Sequence, residues 1–257
     1  MIDPYEFDDM RARLEKRVKP SRYRHSLGVS QAAEQLARIY GADEGAAAVA
    51  GLLHDWDKAL SFKELRKIAK KHKLAPKAVR KQMPGVLHAL TAPYSLKKEF
   101  PGLSEEVLQA VSRHTCGAVD MTDLDKIVFI ADIIEPGRTF SDVGPLRDAV
   151  GEVSLDELFF MTYGSTLVYL IEDRLPVHPD SLTIWNSLVA QREERLALEA
   201  LEAALADEAP EADAASGEDA AARQTTSSDA SESAGELAQR AVAAPPAKRG
   251  PRAIIIQ

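Results

Sequence analysis

GAAAVAGLLHDWDK, residues 45–58, is the stretch whose reading decides the fold. It starts as small apolar residues, runs unbroken into Leu52-Leu53, and then sets a histidine and an acid side by side as His54 and Asp55. Asp43 stands ahead of it as an N-cap, so the sequence predicts a helix running to about Trp56. Working outward, Leu27, Ala32, Leu36 and Ile39 recur near the helical period, and Gly41 comes next as a C-cap. On the other side, Ser61 with Glu64 reads as a capping box before Leu65, Ile68 and Ala69, and Pro76 opens another short helix. Further helices are expected near 86–97, 104–114, 123–134, 143–150 and 154–173. Strand-like alternation is nearly missing and no repeat of solenoid length is visible, so the expected fold class is all-α, a helical bundle.

The chain of 257 residues is made of two materials. Residues 191–257 carry 7 basic and 13 acidic side chains, leaving 25 and 27 for residues 1–190, so most of the net charge of −8 belongs to the end of the chain. All fifteen aromatic residues, Tyr5 to Trp185, lie in the first part. Without large side chains the remainder cannot offset its ordering entropy by burial. The expected organisation is a globular domain over 1–190, a helical extension over 191–207 bearing Leu196, Leu201 and Leu205, and a disordered tail over 208–257. Ile254-Ile255-Ile256 reads as a frayed end rather than a docking peptide. A single cysteine, Cys116, excludes an internal disulfide and suits a reducing cytoplasm. The N-terminus lacks a signal-peptide pattern, and the apolar run at 45–53 is too short to span a bilayer. The acidic balance argues against a general nucleic-acid binder.

Five of the six histidines, His25, His54, His88, His114 and His178, sit beside apolar helical runs. A lone histidine on such a face is more often a core residue satisfied by a backbone carbonyl. The constellation is different: His25, His54-Asp55, His88, His114 and Asp132 can meet from separate helices. Imidazole and carboxylate together suit iron, manganese, cobalt, nickel or zinc, whereas magnesium and calcium prefer oxygen alone. Neighbouring helical residues point roughly a third of a turn apart, so His54 and Asp55 can flank one inward direction. Asp55 has two oxygens with which to bridge two ions at about 3.5–4 Å, the spacing that clamps both attacking and leaving oxygens in phosphoryl displacement.

This ordered set resembles the HD-domain metal-dependent phosphohydrolases, all-helical enzymes named for the His-Asp pair. RYRHSLGV at 22–29, LLHDWDK at 52–58, LHALTAP at 87–93, RHTCG at 113–117 and DKIVFIADIIEPGR at 125–138 are similar to the YqeK-type symmetrical bis(5'-nucleosyl)-tetraphosphatases. The resemblance covers roughly residues 5–188 and leaves out the tail and His178. It implies cleavage of diadenosine tetraphosphate at its centre to two ADP, at a two-metal, di-iron site. His25, His54, Asp55 and Asp132 then hold one ion, and Asp55, His88 and His114 the second. Trp56-Asp57 departs from the family, where small or aliphatic residues are commoner, and this pair is expected to line the pocket or pack behind it.

Other residues are singled out by the chemistry. A phosphoanhydride repels an incoming anion, so cationic groups are needed around the reacting phosphate. Lys58, three residues after Asp55, and Arg138, just past Asp132, are candidate phosphate contacts, and Thr115 beside His114 is a candidate donor to substrate or a turn cap. The run 63–81, KELRKIAKKHKLAPKAVRK, has nine basic residues against one acid. It reads either as a solvated helix face or as a positive rim that steers a polyphosphate; His72 within it reads as a surface residue. Nucleic acid ranks below a small nucleotide, because the strip is short and lacks interleaved aromatics. The expected partner is therefore a dinucleoside polyphosphate, with no membrane, and a homodimer is left open. Two alternatives stand beside the tetraphosphatase: an HD phosphohydrolase acting on other nucleotides, such as a nucleotidase or deoxynucleoside triphosphatase, and a nucleotide sensor without turnover.

Overall fold

The structure, a computed structural model, describes residues 4–140 and 142–207; the expected tail at 208–257, with Ile254-Ile255-Ile256, lies outside them. The described residues form helices and turns, with no strand among them. In chain order the helices are α1 (Pro4–Arg17), α2 (Pro20–Tyr40), α3 (Glu44–Leu53), α4 (Phe62–Lys71), α5 (Lys77–Gln82), α6 (Leu87–Glu99), α7 (Glu105–Arg113), α8 (Asp123–Ile134), α9 (Val143–Asp148), α10 (Leu155–Glu172) and α11 (Ser181–Asp207). Residues 4–194 belong to one compact unit, and α11 from Arg195 onward to a second, in which Leu196, Leu198, Leu201 and Leu205 are exposed.

The expected punctuation is in place. Gly41 ends α2 at a φ of 75°, which favours glycine, and the Asp43 carboxylate accepts from the Ala46 amide to start α3. Ser61 and Glu64 form the reciprocal capping box of α4. The second half of α3, Val49 to Leu53, is apolar on every face and fully buried, and the helix packs against α2, α7 and α8. Gly51 permits the close crossing with α2: a Cβ there would lie 2.9 Å from the Val29 carbonyl oxygen.

One boundary differs from the expectation. The helix ends at Leu53 rather than Trp56; Asp55 adopts φ −99° and ψ 19°, and Trp56–Ala59 forms a 3-10 turn. The reason lies in the pair Trp56-Asp57. Trp56 turns into the core against Phe100, ring centroids 5.3 Å apart, with the Arg17 guanidinium 4.6 Å over its ring. Arg17 also donates to the Trp56 carbonyl at 2.9 Å and pairs with buried Asp57 at 3.2 Å, while the Ser95 hydroxyl donates to Asp57 at 2.9 Å. Trp56 and Asp57 therefore pack behind the His54-Asp55 turn and do not line the pocket. Arg17 comes from α1, a helix absent from the sequence expectation although Phe7, Met10 and Leu14 mark its inner face. Ile39, expected on the inner stripe of α2, is instead 50% exposed.

Two apolar clusters meet at α8, which brackets the site. Phe129, Ile130 and Ile133 join Leu158, Phe159 and Tyr163 of α10, whereas Val128 joins Leu52, Leu53 and Trp56. A third small cluster seats α4 and α5 through Leu65, Ala69 and Val79, leaving the lysines of the basic run in solvent.

Candidate metal centre

Five elements deliver the six expected ligands to one point. His25 comes from the first half of α2, His54 and Asp55 from the turn that ends α3, His88 from the first turn of α6, His114 from the end of α7 and Asp132 from the last turn of α8. Asp55 lies between two groups. Its Oδ2 is 3.4 Å from His54 Nε2 and 3.9 Å from His25 Nε2, and its Oδ1 is 3.0 Å from His88 Nε2 and 3.8 Å from His114 Nε2. Asp132 Oδ1 closes the first group, 3.0 Å from His25 Nε2 and 3.9 Å from His54 Nε2. His54, Asp55, His88 and His114 are all buried.

The histidines are aimed by their outer nitrogens. Nδ1 of His54 donates to the Gly51 carbonyl at 2.7 Å, that of His88 to Gly85 at 2.6 Å and that of His114 to Val111 at 2.7 Å. Each partner is three residues back: Gly51 and Val111 lie in the last turns of α3 and α7, whose carbonyls lack helical partners, and Gly85 lies in the 3-10 turn ahead of α6. With Nδ1 protonated, each neutral ring turns its Nε2 lone pair inward. His88 and His114 Nε2 then face each other at 3.0 Å, two acceptors that need a cation or proton between them. His54 Nε2 is buried without a hydrogen-bond partner, a situation that costs about 1–3 kcal/mol when nothing compensates it, and His25 Nε2 faces Asp132 Oδ1 at 3.0 Å. Orphaned imidazole nitrogens around two carboxylates fit divalent cations, and the chain has the donor set to bind them.

The charge states of Asp55, Asp132, His88 and His114 agree. Burial pushes the Asp55 carboxyl up, but His54 and His88 hold it well below the usual range; burial likewise acts against Asp132, which Arg138 and His25 hold low. Burial lowers His88, and it takes His114 down to about 3 with help from His54 and His88. Burial also opposes charge on His25, yet Asp132 and Glu135 raise it to about 9, so the metal-free ring is protonated at pH 7 and a cation must displace that proton to bind there. The carboxylates are thus ionised and His88 and His114 neutral at pH 7, as metal ligation requires.

A cleft over the centre is lined by Lys58, Thr115 and Arg138 together with Arg22, Asp55 and Asp132, and its volume is about 20 Å³. Lys58 reaches it because residues three apart eclipse on a 3-10 turn, which keeps it beside Asp55. Burial lowers its pKa, with Asp55 opposing the shift. The Thr115 hydroxyl lies 3.0 Å from His114 Nε2, so it stands at the centre rather than capping a turn. Arg138 Nη2 meets Asp132 Oδ1 at 2.7 Å. His178 stands apart beside Asp180, and His72 lies against Tyr94.

Two residues of the site are not marked as such by the sequence. Arg22 Nη1 donates to Asp55 Oδ2 at 2.7 Å; its one local signal is the spacing of three from His25 on one helix face. Glu135 accepts from His25 Nδ1 at 3.0 Å, so His25 alone among the four is backed by a carboxylate. The Gly137 amide holds the other Glu135 oxygen, and Gly28 leaves the room, since a Cβ there would come within 2.6 Å of Glu135. Carboxylate-backed histidines bind metal more strongly, so Glu135→Gln should weaken metal affinity by about 10–100-fold. Calorimetric metal titration checks this, and unchanged affinity would remove the role.

Comparison with known proteins agrees with this geometry. Residues 22–137 match the family model described as HD domain. The chain is 34% identical over 179 residues to a protein of Halalkalibacterium halodurans named bis(5'-nucleosyl)-tetraphosphatase, symmetrical, covering 68% of this chain and 95% of that one. A Bacillus subtilis protein of the same name is 32% identical, with 69% and 94% covered. A solved structure from Clostridium acetobutylicum, described as a "predicted HD superfamily hydrolase involved in NAD metabolism", shares 31% identity and a TM-score of 0.65 over 72% of this chain and 97% of that one.

Proposed function

The chain belongs to the HD-domain family, among the symmetrical bis(5'-nucleosyl)-tetraphosphatases, and from that premise we propose that it hydrolyses diadenosine tetraphosphate at its centre to two ADP. The observation that carries the reading is the division of Asp55, one oxygen toward His25 and His54, the other toward His88 and His114. On this reading His25, His54, Asp55 and Asp132 hold one cation, and Asp55, His88 and His114 a second, with an iron pair as the resident metals. Two bound cations supply Lewis acidity and a water made acidic enough to deprotonate near neutrality.

The chain's own groups do the rest. Asp55 and Asp132 remain anionic at working pH and fix the positive charge of the site at the mouth of the cleft. Lys58, Arg22 and Arg138 stand around that mouth, where a polyphosphate is neutralised and its central phosphoryl groups are aligned. Thr115 lines the cleft beside His114, where its hydroxyl can donate to a phosphoryl oxygen. The exposed lysines of α4 and α5 favour encounter with an anion, an effect that declines with salt. One free cysteine accords with a reducing cytoplasm.

The test is product identity. Protein purified without oxygen, analysed for metal and supplied with diadenosine tetraphosphate, should contain iron and yield ADP alone by chromatography. AMP with ATP would overturn symmetrical cleavage, and turnover confined to mononucleotides would favour the broader nucleotidase alternative.

A further inference from the structure

Arg22 and Arg138 form a wall shared by two cavities. On one side is the metal cleft of about 20 Å³, and on the other a groove of about 570 Å³ between the first turns of α2 and the segment 135–140. We propose that this groove seats one nucleoside diphosphate half of the dinucleotide, a binding site that rests on the tetraphosphatase reading and extends it.

Size comes first. A cleft of about 20 Å³, room for about one water-sized group, holds no nucleoside, so a substrate cut at its centre must place both nucleosides outside it. The groove falls within the range of about 300–1,000 Å³ usual for small-molecule sites.

Charge and position then choose among cavities. The groove is lined by Arg22, Arg24 and Arg138, and its one acid, Glu135, is committed to His25 and the Gly137 amide. Arg22 gives Nη1 to Asp55, and a guanidinium carries five N–H donors, so further donors of the same group can meet a phosphate on the groove side. Beyond the arginines, Leu27 and Pro136 offer apolar surface to a base and Gln31 offers an amide. A cavity of about 460 Å³ elsewhere is lined by Glu6, Asp9, Asp43, Glu99 and Glu106, which repel a diphosphate. Another of about 470 Å³, around Leu90 and Tyr94, shares no lining residue with the metal cleft.

The experiment uses the full metal-loaded chain and two substitutions at exposed groove positions, Gln31→Trp to fill the groove and Arg24→Glu to reverse its charge. Orthophosphate, which reaches the metal cleft without needing the groove, is the second probe, used as a competitive inhibitor. The KM for diadenosine tetraphosphate should rise about 20-fold or more in each variant while the orthophosphate Ki stays within about twofold of wild type. A KM that stays within about twofold in both variants, or a KM and Ki that rise together, overturns the groove assignment. A wild-type enzyme inert toward diadenosine tetraphosphate overturns the tetraphosphatase reading, and the groove with it.

Discussion

Asp55→Ala should reduce turnover by at least about 10³-fold, equivalent to about 4 kcal/mol of barrier, and lower metal content in the same preparation. The side chain is the sole group among the described residues whose two oxygens address both histidine sets, and it is buried at 2% exposure. Without it His88 and His114 keep no carboxylate within salt-bridge distance among the described residues, while His25 and His54 keep Asp132. Arg22 loses its 2.7 Å partner and leaves a cation beside imidazoles that should bind metal. Asp55→Asn separates charge from shape: the amide fills the same space and can still accept from Arg22, but it is a poor metal ligand. Loss of metal and turnover in both variants, with helicity unchanged by circular dichroism, is the expected result. Wild-type turnover in Asp55→Asn would end the bridging-carboxylate account.

Trp56→Ala should cost about 3–5 kcal/mol of folding stability, the usual range for removing a large buried aromatic. Trp56 is 2% exposed, edge-on to Phe100, and covered by Arg17, which also binds its carbonyl and Asp57. The cavity lies directly behind the turn that presents His54 and Asp55, so metal affinity should fall along with stability. Urea unfolding with metal titration on the same samples measures both. A loss below about 1 kcal/mol would mean that the core closes over the gap without cost.

The helices are legible in the sequence because their signals are local. Asp43, Ser61 with Glu64, and Gly41 act within one turn of themselves, and apolar spacing along α6, α7, α8 and α10 needs no distant partner to be read. The candidate ligand set is legible for a related reason: histidine and aspartate embedded in apolar helices are costly unless they meet a charge, so their presence there is itself informative. Arg22 and Glu135 are not, since arginine and glutamate are ordinary surface residues until the fold turns them inward. The end of α3 differs from its expected place because helical preference continues through His54, and only tertiary burial of Trp56 bends the chain away.

By itself, then, the sequence determined an all-helical domain with four histidines and two aspartates able to converge, because periodicity, capping and residue chemistry are properties of short stretches. The tertiary structure alone decided how they converge. It split Asp55 between two histidine pairs, fixed each imidazole by a carbonyl or by Glu135, set Arg22 on the shared carboxylate, and opened a basic groove beside the cleft. Those arrangements depend on distances between residues up to 110 positions apart. They are set by how helices pack, which no local pattern encodes.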